Sequence, residues 1–217
     1  MEERPAKSAK IPPTTVQRLP LYLRCLIEAQ ARRMPVVNSV QIADMAGTNA
    51  AQVRKDFSYL GELGTRGVGY DVDSLIVNLS KRLGVAVHRR VAIIGFGRLG
   101  SALQGYAGFE ERGMAVVAVL DADPAKVGTS VGDVSIESID DLEEVVERER
   151  IEIAVLTVPA RAAQGIANRL VAAGVKAIMN FAPARLVVPD DVTVRQADMA
   201  GELQILSFHL NPGSPAA

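Results

Sequence analysis

Residues 89–103 read RRVAIIGFGRLGSAL, and this stretch decides the fold of the carboxyl-terminal half of the chain. A short apolar run, residues 91–94, leads directly into Gly95-Phe96-Gly97-Arg98-Leu99-Gly100, and a helical pattern follows. A GxGxxG sequence is weak evidence alone, but here it lies between a buried-strand pattern and the start of a helix. The arrangement predicts the first β-α unit of a Rossmann domain.

The next strand pattern supplies the acidic residue that this type of site requires. Residues 114–121 read MAVVAVLD and end in Asp121, 21 residues after Gly100. A carboxylate there can accept hydrogen bonds from ribose hydroxyls and repels a 2′-phosphate, which favours NAD(H) over NADP(H). The candidate residues for the pyrophosphate and the ribose are Gly95, Phe96, Gly97, Arg98, Leu99, Gly100 and Asp121.

The remainder of this half alternates strands and helices, which predicts an α/β domain with a doubly wound parallel sheet. Strand patterns cover residues 91–94, 116–120, 153–156, 177–179 and 192–194, and helical patterns cover residues 99–106, 141–150, 160–173 and 199–210. Ligands bind beyond the carboxyl ends of such strands. The candidates to line the nicotinamide side are therefore Thr157, Val158, Pro159, Asn180, Phe181 and Ala182, although ordinary turn chemistry explains these segments equally well.

The amino-terminal part has a different sequence pattern, in which helical segments predominate. Residues 1–13 are predicted to be a disordered tail, and a helical pattern covers residues 14–33, in which Pro20 either kinks the helix or starts a second one. Helices over residues 40–46 and 50–60, capped by Ser39 and by Thr48 or Asn49, would form a helix-turn-helix pair. A glycine-rich hairpin over residues 61–72 and a helix over residues 74–83 complete a winged helix-turn-helix domain.

Four segments follow from these patterns. They are the tail (1–13), the winged-helix domain (14–84), the Rossmann domain (85–197) and the carboxyl-terminal helix with its tail (198–217).

Basic residues concentrate in the amino-terminal part. Residues 1–90 hold 14 Lys and Arg against 8 Asp and Glu, whereas the remaining residues hold 10 against 17. This segregation arises by chance in some chains, but on a helix-turn-helix domain it favours a polyanion as partner. The candidate DNA contacts, on the second helix of the pair and at the hairpin tip, are Gln52, Arg54, Lys55, Ser58, Tyr59 and Arg66.

Other function classes find little support. The chain has only two histidines, His88 and His209, and neither follows a strand of the sheet, so we predict no catalytic residue. No metal-ligand cluster and no apolar run of about 18 residues occur, which predicts a soluble, cytoplasmic protein without a metal. The single Cys25 cannot form an intrachain disulfide. Two alternatives stay open: a small NAD-dependent oxidoreductase with an added helical domain, and a Rossmann protein whose basic domain binds another protein.

Several longer stretches resemble the Rex family of bacterial redox-sensing transcriptional repressors. They are QVRKDFSYLGELGTRGVGYDV, IIGFGRLGSAL with the following YAGF, LDADPAKVG, LTVPARAAQ, GVKAIMNFAPARLVVP and LSFHLNP. The resemblance implies a homodimer that binds double-stranded operator DNA when NADH is low and leaves it when NADH rises, with NAD competing at the same site. It also implies a carboxyl-terminal helix that is swapped between subunits.

The same resemblance assigns further residues. Tyr106, in the first Rossmann helix, corresponds to a tyrosine near the nicotinamide. Asp198 resembles an acidic residue that changes partners between the two states, and Arg18 and Arg24 are the candidate partners in the amino-terminal domain. Some relatives have an aromatic residue next to this aspartate, where Met199 stands here.

Overall fold

A computed structural model of the chain describes residues 11–61, 63–65, 67–85 and 87–210. The contacts divide the chain into two units, Met1–Ala86 and Val87–Ala217. Most of the predicted tail, Arg66 at the predicted hairpin tip and residues 211–217 lie outside the described residues.

The first unit contains four helices and a two-stranded antiparallel sheet within its described residues. The helices are α1 (Pro13–Ala31), α2 (Ser39–Ala46), α3 (Ala50–Ser58) and α4 (Val72–Leu83), and the strands are β1 (Val36–Val37) and β2 (Tyr70–Asp71). Helix α1 is continuous through Pro20, so this proline neither ends nor restarts it. The apolar faces of the helices meet in one core, whose largest buried side chains include Leu19, Tyr22, Leu26, Ile42, Phe57, Leu75 and Leu79.

The caps of the helix-turn-helix pair differ in part from the prediction. Ser39 is the first residue of α2, and Asn38 is its cap, so the prediction that Ser39 caps this helix is wrong. The Asn38 side chain accepts from the Gln41 backbone N–H, and the Gln41 side chain accepts from the Asn38 N–H. Gly47 ends α2 in the left-handed conformation (φ +62°), and Asn49 caps α3.

In the predicted hairpin, the described residues Thr65 and Gly69 form an antiparallel bridge. Strand β2 pairs with β1. Val36 lies opposite Asp71, which ties the hairpin to the segment before α2. The hairpin thus stands beside the helix-turn-helix pair, as in a winged helix.

The second unit is a seven-stranded, mostly parallel sheet. Its strands are β3 (Arg89–Ile94), β4 (Met114–Asp121), β5 (Ser130–Val131), β6 (Val134–Ser138), β7 (Ile153–Leu156), β8 (Ala177–Asn180) and β9 (Thr193–Gln196), in the order β5-β6-β4-β3-β7-β8-β9. Its helices are α5 (Arg98–Gln104), α6 (Ala107–Glu110), α7 (Leu142–Arg148), α8 (Ala160–Ala172) and α9 (Met199–Leu210). The predicted fold class is confirmed, and the order reverses between β3 and β7, where doubly wound sheets bind ligands.

Both faces of this sheet are covered, as its strand composition requires. Ala92 and Ile94 of β3 pack in a core with α7 and α8, whereas Val91 and Ile93 face a second cluster that includes Leu103 of α5. Alternate residues of one strand therefore lie in two different cores, which explains its unbroken apolar sequence.

Helix α9 is the exception to this burial, because none of its residues is buried. None of the helices in the described ranges is long and apolar enough to cross a membrane.

Candidate dinucleotide site and nucleic-acid interface

The glycine-rich turn after β3 is held in a conformation that only glycine adopts easily. Gly95 has φ +95°, and a Cβ there would lie 2.8 Å from the Thr157 carbonyl oxygen. The Thr157 hydroxyl donates to the carbonyl oxygen of Gly95 at 2.6 Å. The turn is therefore clamped against the carboxyl end of β7.

The other two glycines differ sharply in their surroundings. A Cβ on Gly100 would lie 2.0 Å from the Gly95 carbonyl oxygen, so this glycine lets α5 pack on the turn. A Cβ on Gly97 would meet no atom within 4 Å, and Gly97, Arg98 and Leu99 are exposed. The space that opens at the start of α5, between two tightly packed glycines, fits the pyrophosphate of a dinucleotide.

Asp121 lies at the carboxyl end of β4 beside this turn and is 8% exposed. Its Oδ2 accepts from the Phe96 N–H at 2.5 Å and from Lys126 Nζ at 3.2 Å, and its Oδ1 accepts from the Asp123 N–H at 2.8 Å. Burial raises the pKa of Asp121, but these donors outweigh it and the pKa lies below its usual value. The carboxylate is thus a charged acceptor at the edge of the open space.

The segments after β7 and β8 hold each other in place. Asn180 is fully buried, and its side-chain N–H groups donate to the Ala184 carbonyl and to Gln196 Oε1, both at 2.7 Å. Its Oδ1 accepts from the Ala182 N–H at 3.0 Å. The Asn180 side chain therefore fixes the loop after β8, in which Phe181 is partly buried.

Phe181 lines a cavity of about 740 Å³ at the carboxyl ends of β8 and β9. Leu99, Asp198 and Met199 line the same cavity, and Arg185 adds a second charged group beside Asp198. The structure thus brings together the start of α5, the loop after β8 and the start of α9. Val158 contacts the turn at Gly95, and Pro159 stands just before α8.

Tyr106 lies elsewhere in this unit. It follows the end of α5, is half exposed, and lines a separate cavity of about 430 Å³ with His88, Phe109 and Val134. This cavity lies at the amino-terminal ends of β4 and β6, whereas Phe181 and Asp198 lie beyond the carboxyl ends of β8 and β9. Within one chain, the structure does not bring Tyr106 together with Asp198.

Within the described ranges, no three or more His, Cys, Asp or Glu side chains form a group able to hold a metal ion. His88 lies with Tyr106 at the amino-terminal strand ends, and His209 is near the end of α9.

The nucleic-acid candidates lie on α3, which we call the reading helix. Arg54, Lys55 and Ser58 are exposed, and Tyr59 is half buried at the helix end. The Arg54 guanidinium donates to the Ser39 hydroxyl at 2.9 Å, and the Ser58 hydroxyl donates to the Lys55 carbonyl at 2.7 Å. Gln52 differs, because its amide donates inward to Asp56 at 3.0 Å.

Asp56 is a structural residue next to these candidates that the sequence analysis missed. Its side chain is fully buried and accepts from Thr15, Arg18, Tyr22 and Gln52. A signal was present in the sequence. Asp56 is three residues after Val53 and four before Leu60, so an acidic residue falls on the core face of the helix and requires partners.

The electrostatics of this cluster follow from burial and hydrogen bonding. Burial raises the pKa of Asp56, but the hydrogen bonds from Arg18, Tyr22, Thr15 and Gln52 prevail and lower it to about 2. Burial, followed by the hydrogen bond to Asp56, raises the pKa of Tyr22 to about 12. Arg18 is thus engaged inside its own unit, whereas Arg24 is exposed.

Comparisons with known proteins cover nearly the whole chain. The family model described as "CoA binding domain" matches residues 87–184, and the model described as "Putative DNA-binding protein N-terminus" matches residues 10–58. The redox-sensing transcriptional repressor Rex of Streptomyces griseus subsp. griseus is 51% identical over 207 residues, which are 95% of this chain and 82% of that protein. The repressor Rex of Carboxydothermus hydrogenoformans is 46% identical over 204 residues, which are 94% of this chain and 98% of that protein.

Solved structures agree with these relatives. The chain is similar to RSP in a crystal structure with β-NAD+ and operator DNA, with a TM-score of 0.89, 35% identity and coverage of 94% of both chains. It is also similar to RSP in complex with β-NADH, with a TM-score of 0.84, 34% identity and coverage of 94% of this chain and 95% of that chain.

Proposed function

This chain belongs to the Rex family of redox-sensing transcriptional repressors, and we propose that it binds operator DNA as a homodimer and is released when NADH occupies its Rossmann site. NAD+ competes with NADH at that site. The predicted class, a regulator rather than an enzyme, is confirmed by relatives that are transcriptional repressors. The observation that carries the proposal is an open glycine cradle on one unit and an exposed cationic reading helix on the other.

The dinucleotide is held mainly by backbone groups and one carboxylate. The pyrophosphate lies against Phe96, Gly97, Arg98 and Leu99 at the start of α5, where the first turn of a helix has N–H groups without partners in the helix. The Phe96 N–H itself donates to Asp121. Asp121 accepts from the ribose hydroxyls. Phe181 and the segment 157–159 line the nicotinamide side, while Asn180 and Ala182 position that loop.

The sensor responds to the nicotinamide ring, because NAD+ and NADH differ there by one hydride and one positive charge. A ligand shifts an equilibrium only by its differential affinity for two states. Asp198 lies at the cavity that Phe181 lines, which supports a role for its charge in telling the two rings apart. When the ring is neutral, Asp198 pairs instead with a cation of the amino-terminal unit. Arg18 and Arg24 are the candidates, of which Arg24 is exposed, whereas Arg18 is paired with Asp56 in this structure. A role for Tyr106 near the ring, which the family resemblance implies, requires a contact between subunits, because Tyr106 lies in a separate cavity of its own chain.

On the DNA side, the exposed face of the reading helix enters the major groove. Arg54, Lys55, Ser58 and Tyr59 supply donors for base edges and phosphates, and Arg66 contacts the backbone or the minor groove from the wing. The amide of Gln52 donates inward to Asp56, which supports two roles for this residue. Gln52 fixes the orientation of the reading helix, and it also contacts the DNA.

Helix α9 supports the homodimer. Its exposed apolar side chains are Met199, Leu203, Ile205, Leu206, Phe208 and Leu210, and no residue of this helix is buried by the described part of its own subunit. An apolar surface of this extent on a single helix is typical of a surface that a partner covers. Docking of α9 on a second copy of the chain buries it.

The test is DNA binding measured by fluorescence anisotropy. The probe is a duplex that the protein itself selects from a random-sequence pool, and NADH and NAD+ are titrated separately at fixed salt. We expect NADH to release the DNA at a lower concentration than NAD+, and NAD+ to raise the NADH concentration required.

Three other results would contradict the proposal. Selection of no duplex would favour a protein partner for the basic unit. If NADH and NAD+ released the DNA at the same concentration, the protein would not sense the redox state. Steady consumption of NADH with a simple carbonyl substrate would favour an oxidoreductase.

A further inference from the structure

The ribose end of the proposed site contains a cation that the sequence analysis did not use. Lys126 Nζ lies 3.2 Å from Oδ2 of Asp121 and 3.8 Å from Oδ2 of Asp123. The Lys126 side chain is 37% exposed, whereas that of Asp121 is 10% exposed. The ammonium therefore covers the outer side of the carboxylate and faces the solvent from which a ligand arrives.

The backbone holds Lys126 at this position. The turn DADPAKVG after β4 is closed by the Lys126 N–H, which donates to the Asp123 carbonyl at 3.0 Å, and by the Thr129 hydroxyl, which donates to the Lys126 carbonyl at 2.6 Å. The Ala125 N–H also donates to Oδ1 of Asp123, at 3.0 Å. Lys126 is thus part of a turn, closed by hydrogen bonds, at the carboxyl end of β4.

The hydrogen bonds that Asp121 accepts indicate what Lys126 does at this site. The N–H groups of Phe96 and Asp123 take the inner side of the carboxylate, and Lys126 is the donor on its exposed side. A neutral ribose hydroxyl is both a donor and an acceptor, so it can donate to Asp121 and accept from Lys126 at the same time. The pair is balanced in charge and suits an uncharged diol.

A 2′-phosphate meets opposite effects at the same pair. It carries close to two negative charges at neutral pH, so the carboxylate repels it and the ammonium attracts it. Exclusion of 2′-phosphorylated dinucleotides therefore depends on the carboxylates, chiefly Asp121 with Asp123 farther from the ammonium, and Lys126 works against it. We propose that Lys126 is a specificity-determining residue of the ribose site, which donates to the ribose 2′ oxygen and gives the site a latent capacity for a 2′-phosphorylated dinucleotide that Asp121 suppresses. This inference rests on the proposed NAD(H) site.

The experiment compares four full-length proteins: the wild type, Asp121→Asn, Lys126→Met and the double variant. NADH and NADPH are titrated into each, and the fluorescence of the reduced nicotinamide, which both ligands share, gives the two affinities. Lys176→Met is the matched control, because Lys176 forms an exposed pair with Asp191, at 2.6 Å, in the same unit. Circular dichroism establishes that each variant is folded.

We expect the wild type to prefer NADH. Asp121→Asn should raise the ratio of NADPH affinity to NADH affinity by about tenfold or more, the change that one charge-assisted hydrogen bond produces. The double variant should lose this gain, and Lys126→Met alone should weaken NADPH more than NADH. Lys176→Met should match the wild type for both ligands.

Other results would contradict the proposed role of Lys126 or the proposed site. An equal affinity ratio in Asp121→Asn and in the double variant would overturn the role of Lys126. If Asp121→Asn fails to fold, an unchanged NADPH affinity in Lys126→Met would overturn it as well. A wild type that binds neither NADH nor NADPH would instead reject the proposed dinucleotide site.

Discussion

Arg18 and Asp56 form a two-point salt bridge that joins α1 to the reading helix. Arg18 Nε lies 2.7 Å from Oδ2 of Asp56, and Nη2 lies 2.8 Å from Oδ1. The Asp56 side chain is fully buried, whereas Arg18 is partly exposed. The orientation of the exposed residues next to Asp56 that we propose to contact DNA therefore depends on a buried charge and its partners.

Asp56→Ala should destabilise the amino-terminal unit. Removal of one partner from a buried ion pair costs about 3–5 kcal/mol, because the other polar groups lose their acceptor. Urea unfolding of the full chain can follow this unit by tyrosine fluorescence, since Tyr22, Tyr59 and Tyr70 lie in it. Glu152→Ala, which breaks an exposed pair with Arg89, should leave the tyrosine transition in place. A transition equal to that of the wild type in Asp56→Ala would contradict the structural role of the bridge.

The same bridge predicts a pH dependence. The pKa of Asp56 is lowered from 3.8 to about 2, so the stability that its charge contributes is complete above about pH 4. It is lost as the pH falls through about 2, where the folded protein takes up the proton. The difference in urea midpoint between the wild type and Asp56→Asn should therefore shrink between pH 4 and pH 2. A difference that stays constant over this range would mean that the Asp56 charge contributes nothing.

Elements with a strong local pattern could be predicted from the sequence, and those set by tertiary pairing could not. Strand β3 was predicted because its residues are buried on both faces and read as an apolar run. Strand β6 was missed because Ser135, Glu137 and Ser138 interrupt the apolar residues, and its pairing with β4 stabilises it. Asn38 and Ser39 are both good caps, and the reciprocal bond of Gln41 decides between them.

The candidate site shows the same division. The three glycines and Asp121 follow from spacing, because the turn requires residues without a Cβ and the end of the next strand requires a carboxylate at fixed intervals. The partners of Asp56 and Lys126 depend on which side chains the fold brings within hydrogen-bond distance. Asn180 was predicted as a lining residue, and only the structure reveals that its side chain is directed at its own loop.

Gly97→Ala should weaken dinucleotide binding, whereas Gly100→Ala should destabilise the fold. Gly97 has an ordinary negative φ of −84° and open space around it, so the alanine variant should melt close to the wild type. Its methyl group occupies the space proposed for the pyrophosphate, and NADH affinity should fall by about tenfold or more, the loss expected when close backbone hydrogen bonds to an anion are prevented.

Gly100→Ala should instead destabilise the Rossmann unit, because its Cβ would lie 2.0 Å from a backbone oxygen. Thermal melts and NADH fluorescence titrations measure both variants. An undiminished NADH affinity in Gly97→Ala would remove the cradle from the binding site.

Lys55→Ala should weaken DNA binding without a change in NADH affinity. Lys55 is exposed on the reading helix, where an ammonium contacts phosphate. The plot of log affinity against log salt concentration should become shallower by about 1.8, because the proposed homodimer loses two phosphate contacts at about 0.9 each. Lys176→Ala, in the second unit, serves as the control of equal charge change. An unchanged slope in Lys55→Ala would mean that the DNA does not bind to this face of the reading helix.

Asp198 has a structural role that must be separated from its charge. Its Oδ1 accepts from the Gly201 N–H at 2.9 Å, and its carbonyl oxygen accepts from the Glu202 N–H at 3.1 Å. It therefore caps α9, and Asp198→Ala removes the cap and the charge together. Asn also caps helices well and carries no charge, so Asp198→Asn is the cleaner variant.

Asp198→Asn should keep α9 and the proposed dimer but reduce the preference of the sensor for NADH over NAD+ in DNA release. The reason is that the two ligands differ by a charge at the ring, and an uncharged amide in the cavity beside Phe181 no longer favours one of them. Asp198→Ala should show the same loss of selectivity and also loosen α9, which sedimentation velocity detects as a weaker dimer. If Asp198→Asn releases DNA with wild-type selectivity, the carboxylate has no part in the switch. Tyr106, in its separate cavity, is then the residue whose substitution by Phe must be measured next.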